Sequence, residues 1–253
     1  MRIVSLVPSI TDALAAMGAA QDLVAVTNYC TDGAPEGAVR VGGTKNPEIQ
    51  QIVALRPDVV LANTEENKPE ELNRLREAGL TVEEFYPHTV ADAITMTRRL
   101  GQVIGRPGAA EPLATAIEHA VPTAKSAGVG IGGRPKVMAL TLIWRKPWMG
   151  LGPQTYAEDL LSNSGFGNVL SGFDEPYPTL DPSTAFGADV VLLPSEPYAF
   201  GNADLPAVAE LVGSDVPARF VDGQALTWHG PRTAQALRTF SRLADDVAAT
   251  LQY

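Results

Sequence analysis

The chain has 253 residues, 45% of them hydrophobic and 19% charged, which suits one large or two modest folded α/β domains. A net charge of -10, from 29 acidic and 19 basic residues, leaves no basic stripe to neutralise phosphates and so excludes nucleic acid as a partner. The single cysteine, Cys30, excludes an internal disulfide and a cysteine-built zinc site, and no apolar run reaches membrane-spanning length.

In chain order, Arg2 to Val7 reads as a short apolar strand. The spacing from Ser9 to Asp12 reads as a capping box for a helix through Met17, closed by Gly18. A strand follows at Leu23–Val26, then the turn Gly42-Gly43-Thr44-Lys45. Asn46-Pro47 opens a helix with Ile49, Ile52, Val53 and Leu55 inward. Val59–Ala62 is a buried strand, Pro69–Ala78 a helix, Leu80–Phe85 a strand and Val90–Ile104 a helix. Strands alternating with helices imply a parallel sheet covered on both faces.

Pro107 to Gly128 reads as an isolated helix, with Leu113, Ala116, Ile117, Ala120, Val121 and Ala124 on one face and a bend expected at Pro122. The alternation then restarts. Lys136–Ile143 is a strand, and Thr155 caps a helix with Glu158 at the matching position. Asp189–Leu193 is a strand, Ala203–Leu211 a helix and Ala218–Val221 a strand. Pro231 opens a final helix whose inward face runs through Ala234, Leu237, Phe240, Leu243, Ala244, Val247 and Leu251.

The restart carries an echo. Asn46-Pro47, a short helix, Asp58-Val59-Val60-Leu61 and Glu65 recur as Asp181-Pro182, a shorter helix, Asp189-Val190-Val191-Leu192 and Glu196. The expected architecture is α/β: two Rossmann-like lobes, each a mainly parallel sheet flanked by helices, joined by one long α-helix. The expected boundaries are residues 1–106, a linking helix over 107–128, and 129–253.

Ligands of parallel sheets sit beyond the carboxyl ends of the strands. Those ends carry Ser9, Tyr29, Glu65, Trp144, Tyr198, Trp228 and His229, and two lobes with facing strand ends would form a cleft. Trp144, Trp148 and Trp228 together suggest an apolar platform for a large flat ligand. Arg145 and Lys146 offer cations to a carboxylate or amide, or else only a solvated loop. Glu65, Glu66, Glu70 and Glu71 form an acidic cluster, echoed by Glu196, that either docks a partner's arginines or simply starts a helix. Enzyme signatures are lacking: GVGIGG at Gly128–Gly133 precedes a strand instead of following one, and there is no phosphate loop, GxSxG elbow or HExxH. No cluster of histidines, cysteines and carboxylates supports a protein-built metal site.

The opening RIVSLVPSITDALAAMG, the segment NPEIQQIVALRPDVVLA and the segment IWRKPWMGLGPQTYAEDLLSNSGFGNV resemble the class III ABC-transporter solute-binding proteins. These are the cobalamin and ferric-siderophore receptors, also called helical-backbone metal receptors. The third segment, with TWHGPRT at Thr227–Thr233, looks most like the cobalamin-binding-protein-like branch. The resemblance implies a non-catalytic binder that holds a bulky metal chelate in the cleft for an ABC permease, with a corrinoid favoured over a ferric siderophore or haem. The expected ligand-binding set is Ser9, Tyr29, Lys45, Glu65, Trp144, Trp148, Tyr198, Trp228 and His229. Glu66, Glu70 and Glu196 are the expected permease-docking residues. No covalent cofactor is implied, and a monomer is expected. The rival from another class is a chelatase or corrinoid-processing enzyme of the same fold, which needs a titratable pair such as His229 with a glutamate. The opening residues carry no export signal, so the expected compartment is the cytoplasm as written, or outside the membrane as is usual for the family.

Overall fold

The computed structural model describes residues 1–121, 137–183 and 186–251. The chain forms two compact units. The first comprises Met1–Pro87, Ala91–Ile117 and His229–Pro231, and the second takes the other described residues.

In the first unit the elements are β1 (Ile3–Ser5), α1 (Pro8–Ala16), β2 (Leu23–Val26), β3 (Val39–Arg40), α2 (Ile49–Leu55), β4 (Val59–Asn63), α3 (Pro69–Glu77), β5 (Val82–Phe85), α4 (Val90–Val103) and α5 (Pro107–Ala120). The five strands are all parallel, in the order β3-β2-β1-β4-β5. Strand side chains alternate between faces, and both faces are apolar. Ile3, Val59 and Leu61 pack with Ile10 and Leu14 of α1 and with Leu100 of α4. Their neighbours Val4, Val60 and Ala62 pack with Ile52 of α2 and with Leu72 and Leu75 of α3. Each fully buried side chain of this kind contributes about 1.5–3 kcal/mol.

Two sequence expectations change here. Ser9 is not an N-cap: Pro8 occupies the first turn of α1, the cap is Val7, and Ser9 lies inside the helix, 3% exposed. On α5 the inward face is Ala110, Leu113, Ala114 and Ile117, while Ala116 is exposed. The cause is a close crossing: a Cβ on Gly101 of α4 would come within 2.3 Å of Ala110 Cβ, which turns the Ala110 side of α5 inward. Gly105, at φ +71°, ends α4, and α5 starts at Pro107 as expected and accommodates Pro112 in its interior. The rest of the expected rod, with Pro122 and the GVGIGG segment, lies outside the described residues.

In the second unit the elements are β6 (Val137–Trp144), β7 (Met149–Gly150), α6 (Tyr156–Asn163), β8 (Phe166–Asn168), β9 (Val190–Pro194), α7 (Leu205–Val212), β10 (Ala218–Val221), α8 (Gly223–Thr227) and α9 (Thr233–Thr250). Strands β10, β9, β6 and β8 are parallel neighbours, and β7 adds an antiparallel pair at the far end of β6. Leu140, Leu142, Val191 and Leu193 pack with Val208 and Leu211 of α7. Thr155 caps α6 as its spacing predicts, its side chain accepting the Glu158 N–H at 3.2 Å.

The echo is structural. The order β2-β1-β4-β5 in one sheet matches β8-β6-β9-β10 in the other. In each, an aspartate just before the third strand of that order clamps the chain at the start of the second. Asp58 accepts the Arg2 N–H at 2.6 Å and donates its own N–H to Arg2 O at 2.8 Å. Asp189 does the same with Met138, at 2.7 Å in both directions. At the other end, Thr64 N donates to Phe85 O and Ser195 N to Val221 O, both at 3.1 Å. Glu65 and Glu196 are therefore equivalent in register.

The clamps can be tested by urea unfolding. Asp58 is exposed and Asp189 partly buried, so Asp189→Ala should cost about 1–3 kcal/mol and Asp58→Ala about half of that. Equal midpoints for both variants and the parent chain would show that the clamps add nothing to stability.

Candidate functional site

In both sheets the carboxyl ends of the parallel strands share one edge, and most of the expected site residues lie there. At that edge of the first unit, Tyr29 follows β2 and is 63% exposed. Its ring passes over the Gly42-Gly43 turn, where a Cβ on Gly43 would sit 3.4 Å from Tyr29 Cε2. Lys45 extends from the same turn and donates to Glu65 O at 2.6 Å, just past β4. Tyr86 follows β5 and is 45% exposed. Partial burial raises the pKa of its phenol, and the nearby Glu65 carboxylate raises it further. Sequence reasoning missed Tyr86, although it stands at a strand end like the others. Ser9 is buried, and its hydroxyl has no hydrogen-bond partner among the described residues.

Beneath this rim is a buried amide network that the sequence did not reveal. Asn63, the last residue of β4, uses Oδ1 to accept the N–H groups of Glu65 at 2.7 Å and Glu66 at 3.4 Å. That fixes its NH2 toward His229 Nε2, 3.1 Å away. Asn67 receives the Asn63 N–H at 2.9 Å and donates to Thr44 O at 2.9 Å and Leu6 O at 3.4 Å. His229 Nε2 is therefore an acceptor and the proton sits on Nδ1. Burial holds the imidazole neutral and lowers its pKa from 6.5 to about 4. His229, expected beside Trp228 at a second-lobe strand end, instead belongs to the first unit.

In the second unit β6 ends at Trp144, which is 41% exposed. Its ring meets Tyr198 edge to face at 5.6 Å between centroids. Tyr198 leans on Phe200 at 4.7 Å, and Phe200 stacks on Trp148 at 6.5 Å and 3°. Arg145 lies over the Trp148 ring, 5.7 Å from its centroid, and is ion-paired with Asp204. Asp204 also accepts from Tyr198 Oη at 3.2 Å and from Gly201 N at 2.9 Å. The Gly201 bond first, and then Arg145, keeps its carboxyl below the usual carboxylate pKa. Phe200 and Asp204 were not legible as site residues, because only the fold brings them to β6.

Trp228 was expected to join the same platform. It is instead only 8% exposed, with Nε1 donating to Glu196 Oε1 at 2.9 Å and Arg232 over its ring at 4.7 Å. The same carboxylate oxygen accepts from Thr227 at 3.2 Å. Burial raises the pKa of Glu196, and the two donors oppose that rise. Glu65 and Glu70 are exposed and Glu66 partly buried, so equivalent register does not give Glu65 and Glu196 equivalent surroundings. Among the described residues no group of three histidine, cysteine or carboxylate side chains could hold a metal ion, and no helix is long and apolar enough to cross a membrane.

A family profile described as periplasmic binding protein matches residues 3–190. A vitamin B12-binding protein of Vibrio cholerae serotype O1 is 23% identical over 217 residues, which cover 82% of this chain and 77% of that protein. The solved periplasmic vitamin B12 binding protein BtuF of Vibrio cholerae superposes with a TM-score of 0.80 at 22% identity, covering 97% of both chains. The periplasmic heme-binding protein BhuT, solved with two hemes, gives a TM-score of 0.81 at 25% identity, covering 98% of both chains. These likenesses are to binding proteins, not enzymes.

His229 makes stability depend on pH. The unfolded imidazole takes up a proton near pH 6.5, whereas the folded one resists until about pH 4. Stability should therefore fall as the pH drops through that window, by up to about 3 kcal/mol. Urea midpoints at pH 7, 5.5 and 4.5 should converge on those of a His229→Gln variant as the pH falls. Parallel midpoint curves would contradict the assignment.

Proposed function

Because the chain belongs to the periplasmic binding protein family, in its class III cobalamin and siderophore group, we propose that it binds a corrinoid and delivers it to an ABC permease. The supporting observation is the aromatic cluster of Trp144, Tyr198, Phe200 and Trp148, whose overlying arginine is already paired: Arg145 is committed to Asp204, and of the two cations in this loop only the exposed Lys146 is left to solvent. A flat ligand carrying neutral amides matches such a surface. A ligand with free carboxylates would have to compete with Asp204 for the guanidinium, in a chain of net charge -10.

In this reading Trp144 and Tyr29 make the main apolar contacts. Lys45, Glu65 and Tyr198 complete the polar set, Trp148 backs the cluster, and Ser9 is buried in α1. Trp228 and His229 act from beneath, as buried supports. The exposed Glu70, with the partly buried Glu66, serves permease docking, and Glu196 contributes through its hold on Trp228. The protein works as a monomer on the outer side of the membrane, where the relatives' names place them.

Haem is the second reading, supported by the fold shared with BhuT and by the exposed phenol of Tyr29. Absorbance and mass spectrometry of the purified protein with cyanocobalamin, hemin and a ferric siderophore should show cyanocobalamin retained. Retention of hemin alone would transfer the assignment to haem. Trp144→Ala should weaken cyanocobalamin binding by about 1–3 kcal/mol with little change in melting temperature, as read by calorimetric titration. Unchanged affinity with lost stability would make Trp144 a packing residue.

A further inference from the structure

We infer that Arg40 is a positioning residue that presents Tyr29 to the ligand, an inference that rests on the reading of Tyr29 as a ligand contact. Register sets it up: β3 pairs with β2 so that Arg40 lies opposite Val26, one residue before the Thr27-Asn28-Tyr29-Cys30 turn. From there a single guanidinium nitrogen, Nη1, donates to Thr27 O at 2.9 Å and to Cys30 O at 2.8 Å, closing the turn from its two ends.

Three backbone N–H groups and the cysteine sulfur of the turn are tied down as well. Cys30 N donates to Thr27 O at 3.2 Å, Asn28 N to Gly42 O at 2.8 Å and Thr31 N to Tyr29 O at 2.9 Å. Cys30 Sγ is buried and meets Thr11 Oγ1 at 3.1 Å and Thr27 Oγ1 at 3.2 Å. Gly43 lies beside the ring, where a Cβ would make ordinary contact 3.4 Å from Tyr29 Cε2. The result is a fixed backbone carrying a large side chain that is 63% exposed. A contact held ready in this way loses less freedom when a ligand arrives, so its bracing should appear in affinity. A lysine ammonium can also donate to two carbonyls, but its flexible four-carbon stem loses more freedom for each bond than the pre-organised guanidinium, so it replaces the arginine only in part.

The test is a double-mutant cycle with cyanocobalamin as the titrant, and hemin in a parallel series, on the full chain. Tyr29→Ala should weaken binding about 10-fold or more and Arg40→Ala about 5-fold, while the double variant should bind no worse than Tyr29→Ala alone. Arg40→Lys should recover part of the loss. Independently of any ligand, hydrogen exchange at residues 28–31 should accelerate about 10-fold in Arg40→Ala. A 5-fold loss that persists in the Tyr29→Ala background, or a turn that stays equally protected without Arg40, overturns the positioning role. Unchanged affinity in Tyr29→Ala overturns the ligand contact on which it rests, and the exchange data then report on the bracing separately.

Discussion

Parallel pairing of β1 with β4 and of β6 with β9 is the constraint on which the rest of each unit depends. Parallel strands advance together, so their carboxyl ends collect along one edge of the sheet, and whatever follows each strand is brought there. Asp58 and Asp189 start both pairings from below by bonding the backbone of Arg2 and Met138. From that register follow the positions of Tyr29, Lys45, Glu65 and Tyr86 in one unit, and of Trp144, Glu196 and Tyr198 in the other. A slip of one residue would turn every core side chain toward the wrong face, at about 1.5–3 kcal/mol for each Val or Leu exposed.

The loops at that edge are held by buried or half-buried polar bonds more than by surface charge. An exposed ion pair contributes about 0–1 kcal/mol, whereas leaving a buried amide unsatisfied costs about 1–3 kcal/mol. The part-buried pair of Arg145 with Asp204 fixes the loop after β6 by geometry, while the network of Asn67, Asn63 and His229 belongs to the costlier class. The bonds from Trp228 and Thr227 to Glu196 add a half-buried carboxylate to it. These interactions also use up charge locally, so the aromatic surface of the second unit faces solvent with its arginine already paired. That is the physical basis for favouring a neutral, amide-bearing chelate over a carboxylate-bearing one.

Much of this was legible in the sequence. Apolar runs such as Val59–Ala62 read as buried strands, Thr155 and Glu158 as a cap, and the repeated Asp-Val-Val-Leu as a second copy of the same sheet, because each signal is local. Ser9 misled because Pro8 moves the cap one step back, and Ala116 misled because the approach of Gly101 to Ala110 sets which side of α5 is buried. The partners of Arg145 and Trp228 were out of reach for another reason. Asp204 lies 59 residues from Arg145 and Glu196 lies 32 from Trp228, and only the parallel crossovers bring them together. Arg40 was silent in the sequence for the same reason, since its role depends on the register of a two-residue strand.

The central claim is that the ligand is held by the loops at the carboxyl ends of the strands, set in place by sheet register. Hydrogen exchange of the intact protein with and without cyanocobalamin tests it most directly. The account predicts added protection at residues 28–31, 64–66, 144–148 and 195–200, and none at the amino ends of the strands around Asp58 and Asp189. Protection confined to the strand starts or to the outer helices, with these four loops unchanged, would contradict it.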